Sequence, residues 1–178
     1  MKRILMVLAL LVIAGFAFAA SANVTHVINL QVIEVVAVGL NDASAITLTT
    51  VAPVTPGDPP TGQSNNSKYL RYTTVNSGVT TRRVTAQMSV AAPAGTALQL
   101  ETTIGSGGAG TQGVTTGPET LTNASATDVI TGIASCYTGT GGTDGAQLTY
   151  TLLVTAPGSL VVAAAVPVTI TLTLTDAS

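Results

Sequence analysis

Apolar and polar residues alternate with a period of two along most of the chain, the mark of strands with one dry face and one wet face. The closing segment shows it best. There Val166, Val168, Ile170, Leu172 and Leu174 interleave with Pro167, Thr169, Thr171, Thr173 and Thr175. Pro167 suits the start of a strand, where a missing N–H is tolerated. Leu148, Tyr150, Leu152 and Val154 alternate with Gln147, Thr149 and Thr151. Val84, Ala86, Met88 and Val90 likewise alternate with Arg83, Thr85, Gln87 and Ser89. Residues 45–51, 68–75, 97–104 and 128–133 read as shorter strands. Residues 24–38 begin as an alternating strand and turn apolar on both faces from Val32, which predicts a strand that is central or covered on both sides.

Turn-forming residues divide these runs: residues 53–62, Asn76-Ser77-Gly78, Pro93-Ala94-Gly95, residues 105–117, residues 139–145 and Pro157-Gly158. About seven to eight strands separated in this way predict an all-β fold, an immunoglobulin-like β-sandwich, with a closed barrel as the alternative. An outer-membrane barrel would want aromatic girdles, and past residue 22 the only aromatics are Tyr69, Tyr72, Tyr137 and Tyr150. The two Gly-rich stretches, 105–117 and 139–145, read as mobile surface loops.

The first residues follow another logic. Met1-Lys2-Arg3 is a short cationic start, Ile4 through Phe18 is uninterrupted apolar chain, and Ala19-Ala20-Ser21-Ala22 offers small residues at alternate positions. This is the pattern of a secretory signal helix cleaved after Ala22. The expected organisation is a signal peptide at 1–22 and a single β-sandwich domain at 23–178, exported to the cell surface, the periplasm or the extracellular space, with no membrane span after cleavage. A retained membrane anchor is the alternative, since the apolar run is near the lower limit for a span.

Composition narrows the function. The chain is 46% hydrophobic but only 3% aromatic and 8% charged, which excludes disorder as the default. Past residue 22 the basic residues are Lys68, Arg71, Arg82 and Arg83, against eight acidic ones, giving a formal net charge of −4. Such a chain has no general attraction for nucleic acid. Cys136 is the sole cysteine, so no internal disulfide forms, and burial is its expected state. His26 is the sole histidine and lies on a strand pattern, so neither a catalytic triad nor a zinc site is expected. The Gly-rich segment starting at Gly105 lacks the Lys-Ser/Thr of a phosphate loop, and Asp144 stands without the further carboxylates of a calcium loop. No catalytic residue, metal ligand or cofactor is expected, and the chain does not read as an enzyme.

Two features carry functional expectations. All four basic residues fall between Lys68 and Arg83. If Asn76-Ser77-Gly78 turns a hairpin with Val75 facing Val79, Arg71 faces Arg83 and Tyr72 can stack on Arg82. Like charges opposed in a ladder need an anionic neighbour. Lys68, Tyr69, Arg71, Tyr72, Arg82 and Arg83 are therefore a candidate surface for a carboxylate of the chain itself, a second copy, a protein surface or an acidic glycan. The second feature is the leading segment, in which Val24, Ile28, Leu30 and Val32 form a Pro-free apolar strand suited to pairing with the edge of another subunit.

An export leader, a leading apolar strand at 24–38, a Thr-rich alternating body and a closing strand at 166–175 together resemble secreted fimbrial and matrix-fibre subunits. The resemblance spans the chain past residue 22 without a short motif, and it departs from many pilins by lacking a Cys pair. It implies a structural subunit of a fibre, pilus or surface layer, joined to its own kind by strand addition or edge pairing. The other class is a monomeric module binding a carbohydrate or a surface partner, with Tyr69 and Tyr137 as contacts.

Overall fold

The computed structural model describes residues 23–78 and 80–177; the expected signal helix and Val79 lie outside them. The chain divides into two units, Met1–Val32 and Ile33–Ser178. In the first, residues 23–32 form no regular secondary structure and their side chains are exposed.

The second unit is built from strands: β1 (Val35–Leu40), β2 (Thr50–Val51), β3 (Thr61–Gly62), β4 (Ser64–Val75), β5 (Arg82–Met88), β6 (Thr96–Ile104), β7 (Ala109–Gly110), β8 (Val114–Thr115), β9 (Glu119–Thr120), β10 (Thr127–Ile133), β11 (Cys136–Tyr137), β12 (Ala146–Val154) and β13 (Ile170–Asp176). Seven of them span six residues or more, matching the number expected. A seven-stranded sheet runs β7-β11-β4-β12-β6-β9, with β1 also on β4, and a four-stranded sheet runs β13-β5-β10-β8. The β2–β3 pair stands apart. Every pairing is antiparallel. The protein is an all-β sandwich.

Alternation explains the layers. In β5, Val84, Ala86 and Met88 are buried, and in β12 so are Ala146, Leu148 and Tyr150. These meet Leu70, Tyr72, Leu100, Ile130 and Leu174 in one core. The longest ladder, β12 on β6, pairs Ala146 with Ile104 through Val154 with Thr96 without a break. β10 departs from strict alternation: Val129 and Ile130 are both buried, and its register on β5 shifts between Asp128 and Ile130 and again before Ile133. Gly132, at φ +69°, sits inside the second shift, where an L side chain would be strained.

Several expectations are corrected. Residues 24–34 are not strand; β1 begins at Val35 and is an edge, not a covered central strand. Within 45–51 only Thr50–Val51 is strand, although Ile46 and Leu48 still pack on the core. The closing strand begins at Ile170, four residues beyond Val166. Residues 105–117 carry β7 and β8 and are tied into both sheets rather than forming a free loop. The β4–β5 hairpin does not exist. β4 is flanked by β1, β11 and β12, while β5 pairs with β10 and β13 in the other sheet. Asn76 shapes the crossing, donating to Thr80 O (2.6 Å) while its Oδ1 accepts from Ser135 Oγ (3.0 Å).

Candidate functional site

β1 and β11 both pair with residues 73 and 74 of β4, so they flank it on opposite sides, and β1 is an edge of the large sheet. Its ladder sets Val36 opposite Thr74, Val38 opposite Tyr72 and Leu40 opposite Leu70. Directly opposed residues share a face. Thr74, Tyr72 and Leu70 point into the core and are 0%, 3% and 1% exposed. Val36, Val38 and Leu40 therefore point inward too, yet they remain 52%, 44% and 40% exposed. The sandwich is open over β1.

The facing sheet explains the opening. Its edge is β13, which pairs only with β5 and sets Ile170, Leu172 and Leu174 opposite Met88, Ala86 and Val84. Leu174 is buried, but Leu172 and Ile170 are only partly so. No further described strand lies beyond β13 to cover Val36, Val38 and Leu40. The result is an apolar inward face of β1 that stays half exposed, on an edge strand of the large sheet.

Arg82, which is 2% exposed, lies beside the start of this strand. Its guanidinium donates to Val35 O (3.1 Å) and Asp176 Oδ1 (3.0 Å), and also to Glu34 Oε1 and Thr74 Oγ1. It joins the start of β1 to the end of β13. The sequence pattern missed this because Arg82 occupies an inward position at the head of β5, in phase with Val84, Ala86 and Met88.

The remaining basic residues are distributed through the fold rather than gathered on one surface. Lys68 is buried, with Nζ donating to Asp42 Oδ2 (2.7 Å) and Ser44 Oγ (2.9 Å). The hydrogen bond from Lys68, then those from the Ser44 hydroxyl and N–H, hold the Asp42 carboxyl well below its usual range. Arg83 pairs with Asp128 at 3.3 Å. Arg71 donates to Gly141 O (2.5 Å) and Asp144 O (3.4 Å), anchoring the loop at 139–145. Tyr72 is in the core with its Oη donating to Gln112 O (2.5 Å), and burial pushes its hydroxyl pKa up. The expected opposition of Arg71 and Arg83 is thus absent, and intrachain carboxylates neutralise Lys68, Arg82 and Arg83. Cys136 is buried, which raises its thiol pKa.

The outer face of the large sheet carries a second grouping. Tyr69, Arg71 and Thr73 alternate on β4, and Tyr137 stands opposite Thr73, exposed. Tyr69 Oη accepts from Gln147 Nε2 (2.9 Å). Beside them a shallow depression is lined by Ala37, Gly39, Arg71, Thr73, Thr138 and Gly139. Among the described residues, no three His, Cys, Asp or Glu side chains come together as a metal site, and no helix is long and apolar enough to cross a membrane. Comparison with protein-family models, curated proteins and solved structures finds no match to this chain.

Proposed function

We propose that the chain is an exported structural subunit of a fibre, pilus or surface layer, whose copies join by strand addition or edge pairing. The observation that carries this is the half-exposed inward face of β1: Val36, Val38 and Leu40 point into a sandwich that does not cover them. Contiguous apolar surface beside unpaired strand edges is what edge-to-edge association consumes. Residues 24–32 add exposed Val24, Val27, Ile28, Leu30 and Val32. The chain processed after Ala22 is predicted to sediment as oligomers or filaments whose size rises with concentration. Removal of residues 23–30 is predicted to return it to a monomer. A processed chain that stays a sharp monomer at every concentration overturns the reading.

The outer face of the large sheet supports a second reading, a monomeric module for a carbohydrate or a surface partner. Exposed Tyr137 shares that face with Tyr69 and the Arg71 cation, a combination suited to sugar rings and acidic glycans. Retention on polysaccharide that is lost in Tyr137→Ala, by a protein that stays monomeric, favours this reading over the first.

A further inference from the structure

Three of the four basic residues past residue 22 are answered by carboxylates of the chain: Lys68 by Asp42, Arg82 by Glu34 and Asp176, and Arg83 by Asp128. Arg71 is the exception. Among the described residues no carboxylate lies within ion-pair reach of its guanidinium. Two carbonyls hold it instead, Gly141 O accepting from Nη2 (2.5 Å) and Asp144 O from Nε (3.4 Å). The Asp144 carboxylate turns back into its own loop, where Oδ2 accepts from Gly141 N (2.6 Å). Gly107 and Gly139 make room for it, since a Cβ at either would stand 2.4 Å from a carboxylate oxygen. The loop therefore fixes the cation without neutralising it. Nη1 and the second hydrogen of Nη2 are left without a partner among the described residues.

The surroundings of Arg71 say what anion it suits. Its chain neighbours Leu70 and Tyr72 are buried, so Arg71 faces outward, where it lines the shallow depression with Thr73, Ala37, Gly39 and Gly139. The register sets Gly39 opposite Arg71, and Ala37 and Tyr137 on either side of Thr73. A Cβ at Gly39 would meet nothing within 4 Å, so the floor beside the guanidinium is open. Tyr137 is 53% exposed and diagonal to Arg71 in the sheet, a separation of about 7–8 Å. An exposed aromatic ring takes the apolar face of a sugar, and two coplanar guanidinium N–H groups match the two oxygens of a carboxylate. We infer that this face binds an acidic polysaccharide built of uronic acids, one uronate seated in the depression with its ring on Tyr137 and its carboxylate on Arg71. This rests on the reading of the outer face as a carbohydrate site, and it adds the charged class of sugar and the two contacts that select it.

The test measures retention of the processed full chain on immobilised polygalacturonate, dextran and dextran sulfate, and its affinity for a galacturonate trimer by calorimetry. The expected result is retention on polygalacturonate that weakens as salt rises, and none on dextran. Arg71→Gln is expected to weaken trimer binding about 10- to 100-fold, the loss of a charge-assisted contact. Tyr137→Ala is expected to weaken it about 2- to 10-fold, and Tyr137→Phe to leave it nearly unchanged. Gly39→Leu fills the depression from β1 and is expected to abolish binding. The space above Gly39 is open and its φ is not in the left-handed region, so this variant keeps the test valid should loss of Arg71 disturb the loop at 139–145. Retention on polygalacturonate that survives both Arg71→Gln and Gly39→Leu overturns this site and leaves the carbohydrate reading standing. Equal retention on dextran overturns the acidic sugar as the ligand. Stronger retention on dextran sulfate than on polygalacturonate assigns Arg71 to sulfate esters and overturns the carboxylate. A protein retained on none of the three overturns both the site and the carbohydrate reading.

Discussion

A guanidinium shut inside a sandwich must find its counter-charges there, and Arg82 draws them from Glu34 and Asp176, at opposite ends of the described domain. Both carboxylates are largely exposed, so either one lost alone leaves the cation paired through the other. Losing both strands a buried charge. Glu34→Gln and Asp176→Asn are each expected to cost about 1 kcal/mol, and the pair together about 3–5 kcal/mol, more than the sum of the two. Urea titration of the two single variants and the double variant checks this; simple additivity would show that the clasp is not shared. Asp42 makes a different prediction. Its carboxyl is depressed by the hydrogen bond from Lys68, then by the Ser44 hydroxyl and N–H. A lowered carboxyl pKa means stability fully present above the unfolded value and lost as pH falls through the folded one. The contribution is therefore constant through neutral and mildly acidic solution and disappears only below the ordinary value of 3.8. Melting temperatures of the protein and of Asp42→Asn should differ by a constant amount above about pH 5 and converge in strong acid.

Strands were legible where the chain itself supplies both the inward face and its cover. β6, β10 and β12 lie within a residue of the alternating runs, and β5 within two, because Val84, Leu100, Ile130 and Leu148 all find neighbours in the same core. β1 was misread for the converse reason. Alternation records which side chains require burial, not whether the same chain provides it, and Val36, Val38 and Leu40 are left half covered. Pairing was less legible still. A turn signal such as Asn76-Ser77-Gly78 looks the same whether the chain returns beside itself or crosses to a facing sheet, and the four basic residues were assigned to one surface on that ambiguity. The two-residue strands β8, β9 and β11 are fixed by backbone pairing to longer neighbours, and β7 by pairing to β11, which side-chain patterns do not encode. Of the candidate site, the half-exposed inward face of β1 could not be read from the sequence, since it depends on the β1–β4 register and on there being no further described strand beyond β13. The contrast can be measured in the monomer, using the chain shortened by residues 23–30. Leu148→Ala should cost about 2–5 kcal/mol, as for other buried leucines, whereas Val38→Thr should cost under about 1 kcal/mol because half its surface is already wet.

Within the unit Ile33–Ser178, a closed core stands beside a β1 face that is only half covered. Each of Val36, Val38 and Leu40 leaves roughly 1 kcal/mol of apolar burial unrealised, about half of what a fully buried aliphatic side chain contributes. Residues 24–32 expose further apolar side chains, among them Val24, Ile28, Leu30 and Val32. Arg82 ties the start of β1 to the end of β13 beside that face. The formal net charge of −2 at pH 7 is small, so charge repulsion between copies would be weak. Amide hydrogen exchange, followed in the processed protein from dilute to concentrated solution, tests the open side most directly. Residues 24–32, β1 and β13 should gain protection together as concentration rises, while β6 and β12 stay protected throughout. Exchange in those three segments that is the same at every concentration would contradict the account.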